Sequence, residues 1–225
     1  MTNIDVTENF LDIYTGSQAP GCYAWIFPKS KRAANVGLGV IGSKLHRKMP
    51  IDYLNEFVSK NVPEGQPVEL VMGGVPVSDA LKNIVSNGLM LIGDAARHTE
   101  PSSGGGIPTA IGGGAIAGEV AQKAVHQNDS SVRVLKEHET RWHTSFGKIH
   151  KGMYKIKEFR RELSDDGHNE LIRLFKDLKP QMSAIEILSL RSARRLLVAN
   201  PKLLFLAPHL PLIRKHILFA SERPQ

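Results

Sequence analysis

Apolar and polar positions change rhythm along the chain, and each rhythm predicts a different kind of element. In the first forty residues, "FLDIYTG", "CYAWIFP" and "AANVGLGVIG" are rich in β-branched and aromatic residues. The turn-forming stretches "SQAPG" and "KSKRA" separate them, which predicts three antiparallel strands with short connections. Pro50 then opens "PIDYLNEFVSKN", whose Ile51, Leu54, Phe57 and Val58 share one helix face. "VPEGQP" ends that helix, and "VELVMGGVPVS" reads as another strand with a glycine pair at a bulge or bend.

The middle of the sequence has a different pattern. "GLMLIG", residues 88–93, is short and wholly apolar, as expected of a strand buried on both faces in a parallel sheet. Beyond a glycine-rich loop, "IPTAIGGGAIAGEVAQKAVHQ" reads as a helix of small residues. Its Gly112, Gly113, Gly114 and Gly118 weaken it by roughly 1 kcal/mol each relative to alanine. Such a helix is expected where something large approaches the backbone. From Ser131 to Arg161, Leu135, Trp142, Phe146, Ile149, Met153 and Ile156 recur at helical spacing, predicting one long amphipathic helix. "ELIRLFKDL" and "SAIEILSLRSARRLLVAN" predict two more. The apolar tail "PKLLFLAPHLPLIRKHILFA" is broken by Pro201, Pro208 and Pro211. It therefore does not predict a membrane-spanning helix of about 20 apolar residues, and a short interfacial segment fits it better.

These elements predict a mixed α/β (α+β) fold. Residues 1–88 form an antiparallel-sheet part, 89–128 a strand, loop and helix, and 129–225 a helical region. A protein of 225 residues with 41% hydrophobic and 23% charged content has a globular composition. Its single cysteine, Cys22, excludes an internal disulfide and suits a reducing compartment. The opening "MTNIDVTENF" lacks a basic-then-apolar leader, so a cytoplasmic location is expected. Lys and Arg exceed Asp and Glu, 29 to 22, for a net charge of +7, which favours anionic partners. The basic residues lie mainly on charge-mixed helical stretches such as "KIKEFRRELSDD", without the interleaved aromatics that stack bases. A solvated helix face ranks first, an anionic membrane surface second, and no nucleic-acid partner is expected.

One apparent motif is a decoy. "GLGVIG", residues 37–42, matches the dinucleotide pattern GxGxxG, but Pro50 leaves no room for the required helix. The next acidic residues, Asp52 and Glu56, fall inside the following helix, so a glycine-relieved strand is the expected reading. The loop "GDAARHTEPSSGGGI" combines more. Asp94 offers a carboxylate to ligand hydroxyls, and Gly104, Gly105 and Gly106 allow backbone N–H groups to approach a flat ligand. The helix beginning near Ile107 and Pro108 turns its positive end to the same place. Tyr23, Trp25 and Phe27 share one face of a strand by alternation, where they form either an aromatic wall or the core under the sheet. His138, His143 and His150 lack the one-turn pairing of a helical metal site, so packing or surface roles are expected and no metal. Ser102 and Ser103 lack a G-x-S-x-G elbow. Cys22 reads as a small buried thiol.

"LMLIGDAARHTEPSSGGGI" resembles the second flavin-binding motif of the FAD-dependent oxidoreductases related to p-hydroxybenzoate hydroxylase. That resemblance implies FAD as cofactor, with Gly93, Asp94, Pro101, Gly104, Gly105, Gly106 and Ile107 at its site. Asp94 would meet the ribityl hydroxyls, and the Gly106–Ile107 backbone the pyrimidine edge. "PGCYAWIFPKSKRAANVGLG" resembles the YxWxFP…GxG signature of the geranylgeranyl reductases, particularly the digeranylgeranylglycerophospholipid reductases of archaea. Tyr23, Trp25, Phe27, Pro28, Gly37 and Gly39 fill the pattern, implying a prenylated lipid substrate on the aromatic face and reduction of its C=C bonds. The family's N-terminal GxGxxG unit precedes the stretch where this sequence starts. The protein is therefore expected to be the C-terminal portion of such a reductase, working with a separate N-terminal FAD-binding chain or derived from a truncation. The resemblance names neither a catalytic proton donor nor an electron donor. Its rivals are a flavin monooxygenase or halogenase of the same fold, and a non-catalytic lipid-binding module.

Overall fold

The computed structural model describes residues 1–45 and 48–177. The helix expected in "SAIEILSLRSARRLLVAN" and the proline-broken tail lie outside the described residues. The protein divides into two compact units, one comprising Met1–Gly73 and Glu158–Leu174, the other built on Gly74–Lys157.

In the first unit, β1 (Asp12–Tyr14), β2 (Ala24–Ser30) and β3 (Ala33–Leu38) form the expected antiparallel sheet in the order β1-β2-β3. Trp25 lies opposite Gly37, and Ile26 opposite Val36. Alternation along β2 sends Ala24 and Ile26 into a core with Ile4, Ala19, Ala34, Phe57 and Val62. Phe57 comes from α1 (Pro50–Asn61), whose first turn is held by Pro50 and by the Asp52 carboxylate, which accepts from the Met49 N–H at 2.8 Å. Tyr14 meets the Phe57 ring edge-on at 5.0 Å. The start of α5 (Asp165–Asp177) is tied to the β1–β2 connection, where Asp165 accepts from the Ser17 N–H and hydroxyl.

Two sequence expectations are corrected by the structure. "VELVMGGVPVS" forms no strand, and its Val68, Leu70, Val71, Met72 and Val75 are exposed. β-propensity supplies no structure where no partner strand completes the ladder. "GLMLIG" is not buried on both faces. It contributes β5 (Leu89–Met90), paired antiparallel with β4 (Val85–Ser86), and Leu89 is 50% exposed. A short apolar run records hydrophobicity without recording which sheet receives it. Among the described residues no strand runs parallel to it.

Side chains of α3 (Val132–Trp142) take the place of a further strand. Glu139 accepts from the Ile84 N–H at 3.1 Å, and His138 Nε2–H donates to the Leu91 carbonyl at 3.0 Å. Asn87, in the β4–β5 turn, accepts from the Val132 N–H and so satisfies an otherwise open first-turn donor of α3. The long helix expected over 131–161 is present as α3 and α4 (Lys148–Arg161), joined by a π-helical segment, His143–Gly147. The small-residue helix is α2 (Ile107–His126), which buries Ile116, Val120 and Ala124 against Val134 and Leu135. Much of what approaches its glycines is the protein itself. A Cβ on Gly112 would lie 2.6 Å from the Phe146 ring, and one on Gly113 would touch Trp142 and His98.

Candidate functional site

The loop from Gly93 to Gly106 is built in three steps. A single 3-10 turn, Gly93–Ala96, follows β5, and Arg97 closes it in the left-handed region at φ +56°. The His98 N–H then returns to the Gly93 carbonyl at 2.9 Å. Last, Glu100 and Gly105 bracket the serines, with the Glu100 N–H donating to the Gly105 carbonyl and the Gly104 N–H to the Glu100 carbonyl.

Glu100 fixes the loop from inside. Its carboxylate accepts from the N–H and hydroxyl groups of both Ser102 and Ser103. Burial alone would raise its pKa, but the hydrogen bonds from Ser103 and Ser102 outweigh it and hold the carboxyl below its usual range. Pro101 is fully buried beside it.

Asp94, by contrast, is exposed. Its carboxylate accepts from the Thr99 hydroxyl at 2.5 Å. A Cβ on Gly106, the residue preceding α2, would come within 3.2 Å of Asp94 Oδ1 and 3.4 Å of Thr99 Oγ1. Carboxylate, hydroxyl and helix start therefore share one small space, and the helix has no side-chain cap there. Its first-turn N–H groups are available to an acceptor, with the positive end of a 20-residue helix behind them. Ile107 and Ile111, one turn apart, stay largely exposed next to it.

Beneath the loop lies a ring stack. His98 is fully buried and lies face to face with Trp142, centroids 3.5 Å apart and planes 10° apart. His143, His150 and Phe146 surround the same indole. His150 Nε2–H donates to the Thr99 carbonyl at 3.0 Å, which holds the residue next to Glu100. Among the described residues, neither ring nitrogen of His98 has a partner. Burial, with neighbouring His150 and His138 adding to it, pushes His98 down to about 3. Burial also lowers His150, against the Thr99 hydrogen bond.

These shifts predict acid sensitivity. His98 titrates near 6.5 when unfolded and about 3 when folded, so the native state binds fewer protons in that interval and loses stability as pH falls. The slope is at most about 1.4 kcal/mol per pH unit for each such group. Glu100, also depressed, adds its loss below the ordinary carboxylate range. The denaturation midpoint should fall steadily from pH 7 to pH 4, and His98→Phe, which keeps a ring on Trp142, should flatten that fall. An unchanged profile in the variant would contradict the assignment.

In the first unit, Tyr23, Trp25 and Phe27 lie on the face of β2 opposite the core, and all three are half-buried. The core alternative for these rings is thereby excluded. Their centroids stand 5.7 and 6.0 Å apart along the strand, and with Pro28, Lys29 and Asn35 they line an open groove of about 440 Å³. The Trp25 N–H donates to Asn35 Oδ1 at 2.8 Å. The indole lies against Gly37, where a Cβ would sit 2.4 Å from Cζ2. A Cβ on Gly39 would meet Cys22 Sγ at 2.7 Å, and Cys22 is half-buried. The GxG spacing thus keeps β3 thin under the aromatic strand. Gly37→Ala should displace the Trp25 ring, shift its fluorescence and cost about 1–3 kcal/mol, read by emission spectra and urea unfolding. An unshifted spectrum would refute the close packing.

Comparison with known proteins finds relatives among the geranylgeranyl reductases. Residues 1–75 match the model of the geranylgeranyl reductase catalytic domain. The digeranylgeranylglycerophospholipid reductase of Methanosphaerula palustris is 43% identical over 209 residues, 91% of this chain and 51% of the relative. A second such reductase, from Methanococcoides burtonii, is 39% identical over 91% of this chain and 50% of its own length. The protein is homologous to the geranylgeranyl reductases. A crystal structure of a geranylgeranyl bacteriochlorophyll reductase-like protein from Thermoplasma acidophilum superposes with a TM-score of 0.78 at 34% identity, covering 93% of this chain and 52% of that one. The chain spans about half the length of the curated relatives it matches.

Sequence pattern singled out Asp94 and the glycines but missed Thr99, Glu100, and the pairing of His98 with Trp142. The signal for Glu100 was present, since a carboxylate two and three residues before serines can accept from both. No local pattern announces His98 and Trp142, which meet from separate elements of the second unit. Among the described residues, no helix is long and apolar enough to cross a membrane.

Proposed function

We propose that this protein provides the flavin-ring and lipid-binding parts of an FAD-dependent reductase that acts on C=C bonds in the prenyl groups of archaeal-type membrane lipids. The observation that carries the reading is the placement of three aromatic rings outside the core, along a groove that an apolar tail fits. The names of the relatives supply the substrate class, since those proteins are reductases of digeranylgeranylglycerophospholipid. The residues of the 93–107 loop fit a flavin. Asp94, bridged to Thr99, accepts from ribityl hydroxyls, and the uncapped first turn of α2 donates to the pyrimidine edge. Gly106 has no Cβ to fill the space between them.

When bound, reduced flavin supplies the hydride for an isolated C=C bond, whose other carbon takes a proton. The protein's own residues do the rest. The dipole of α2 stabilises negative charge at the ring edge. Glu100 and the four groups that donate to it hold the loop in one shape, so little ordering is left to pay for on binding. Tyr23, Trp25 and Phe27 give the prenyl group an apolar surface and fix its course. The basic surface suits peripheral attachment to an anionic membrane.

The test is binding of both ligands by the purified 225-residue protein. Flavin absorbance and fluorescence should change on titration with FAD, and geranylgeraniol should quench Trp25 emission. Prenyl binding without flavin uptake would favour the lipid-binding module. Preference for small aromatics over prenyl alcohol would favour the monooxygenase reading.

A further inference from the structure

The groove does not stop at Phe27. Lys29, at the bulge that interrupts the β2–β3 register between Pro28 and Ser30, lines it as well. It lies near the end of β2, just before the β2–β3 turn, which adds Lys31 and Arg32. All three cations are exposed. Among the described residues none of them forms an ion pair, and the Arg32 guanidinium donates only to the neutral Asn3 side chain, at 2.7 Å. The groove is therefore asymmetric. It runs from an apolar floor of three rings to a turn whose positive charge has no carboxylate partner among the described residues. At the Tyr23 end the Arg160 guanidinium stands over the ring, 5.9 Å from its centroid.

We propose that the β2–β3 turn is an anionic headgroup site, in which Lys29 and Lys31 hold the phosphate of the same glycerophospholipid whose prenyl group lies on Tyr23, Trp25 and Phe27. This inference rests on the assignment of the aromatic groove to the prenyl group and adds the end from which that group enters. Two features support a lipid phosphate as occupant. The cations continue the apolar groove, so one molecule with an oily tail and an anionic head satisfies both. Lysine is also a flexible point charge on an apolar stem, suited to a phosphate that arrives with a mobile lipid. The turn thereby selects a charged lipid over an uncharged prenyl alcohol and sets which double bonds lie along the rings.

The experiment compares geranylgeranylglyceryl phosphate with geranylgeraniol, each titrated into the 225-residue protein at low salt, with tryptophan emission as readout. Trp142 is fully buried, so Trp25 reports the groove, and Trp25→Phe provides the control. The phosphate ester should bind roughly tenfold more tightly than the alcohol. In the Lys29→Gln/Lys31→Gln variant that ratio should fall to about one, and high salt should shrink it in the wild type. Inorganic phosphate at the ester's own concentration should displace nothing. A ratio near one in the wild type, or a ratio that survives the double substitution, overturns the headgroup site while leaving the prenyl groove standing. Displacement by inorganic phosphate would make the turn a free-anion site and overturn the lipid assignment. Failure of both lipids to bind would overturn the groove assignment itself, and the headgroup site with it.

Discussion

Replacing Asp94 by alanine should weaken flavin binding by roughly ten- to a hundredfold while leaving the fold intact. The carboxylate is exposed, so its loss opens no cavity, and its one side-chain partner among the described residues is the Thr99 hydroxyl. The variant loses a charged acceptor for ligand hydroxyls, and hydrogen bonds to charged groups are worth about 1.5–3 kcal/mol. Asp94→Asn keeps an acceptor without the charge and should recover part of the loss. Isothermal titration with FAD measures both. Equal affinity for wild type and Asp94→Ala, with unchanged unfolding, would remove Asp94 from the site.

The largest effect on stability should come from Trp142→Ala, at about 3–5 kcal/mol. The indole is fully buried, stacks on His98 and packs with Ile84 and Ala96. Truncation leaves a cavity under the loop and removes the ring that holds His98 flat. Since domain stabilities are about 5–15 kcal/mol, such a loss consumes much of the total. Trp142→Phe fills part of the space and should cost less than half as much. Urea unfolding provides the comparison, and a loss under about 1 kcal/mol for the alanine variant would mean that the stack carries little of the second unit's stability.

The fold and the candidate site were legible in the sequence to different depths. The antiparallel sheet, α1 and α2 came through because alternation, a first-turn proline and helical spacing are local signals, and local physics formed those elements. "GLMLIG" and "VELVMGGVPVS" did not, because whether an apolar run becomes a strand depends on partners elsewhere in space. The shared face of Tyr23, Trp25 and Phe27 was predictable, but which face meets the core was not. Period two fixes that three rings share a side, and only the packing of Ala24 and Ile26 against Phe57 decides which side is inward. In the loop, Asp94 and the glycines stood out by residue type and spacing. The supports, Glu100 and the His98–Trp142 stack, did not, because they act through contacts that close only when loop and helix are folded together. The glycines of α2 show a related ambiguity. Close approach to that helix was expected, and Phe146, Trp142 and His98 account for much of it.

The central claim is that the Gly93–Ile107 loop holds the ring half of a flavin. Titrating the 225-residue protein with FAD and with riboflavin, which carries only the ribityl group and ring, tests it most directly. The account predicts saturable binding of both, with affinities that fall together in Asp94→Ala. Saturable FAD binding that Asp94→Ala leaves unchanged, or no response to either ligand, would contradict it.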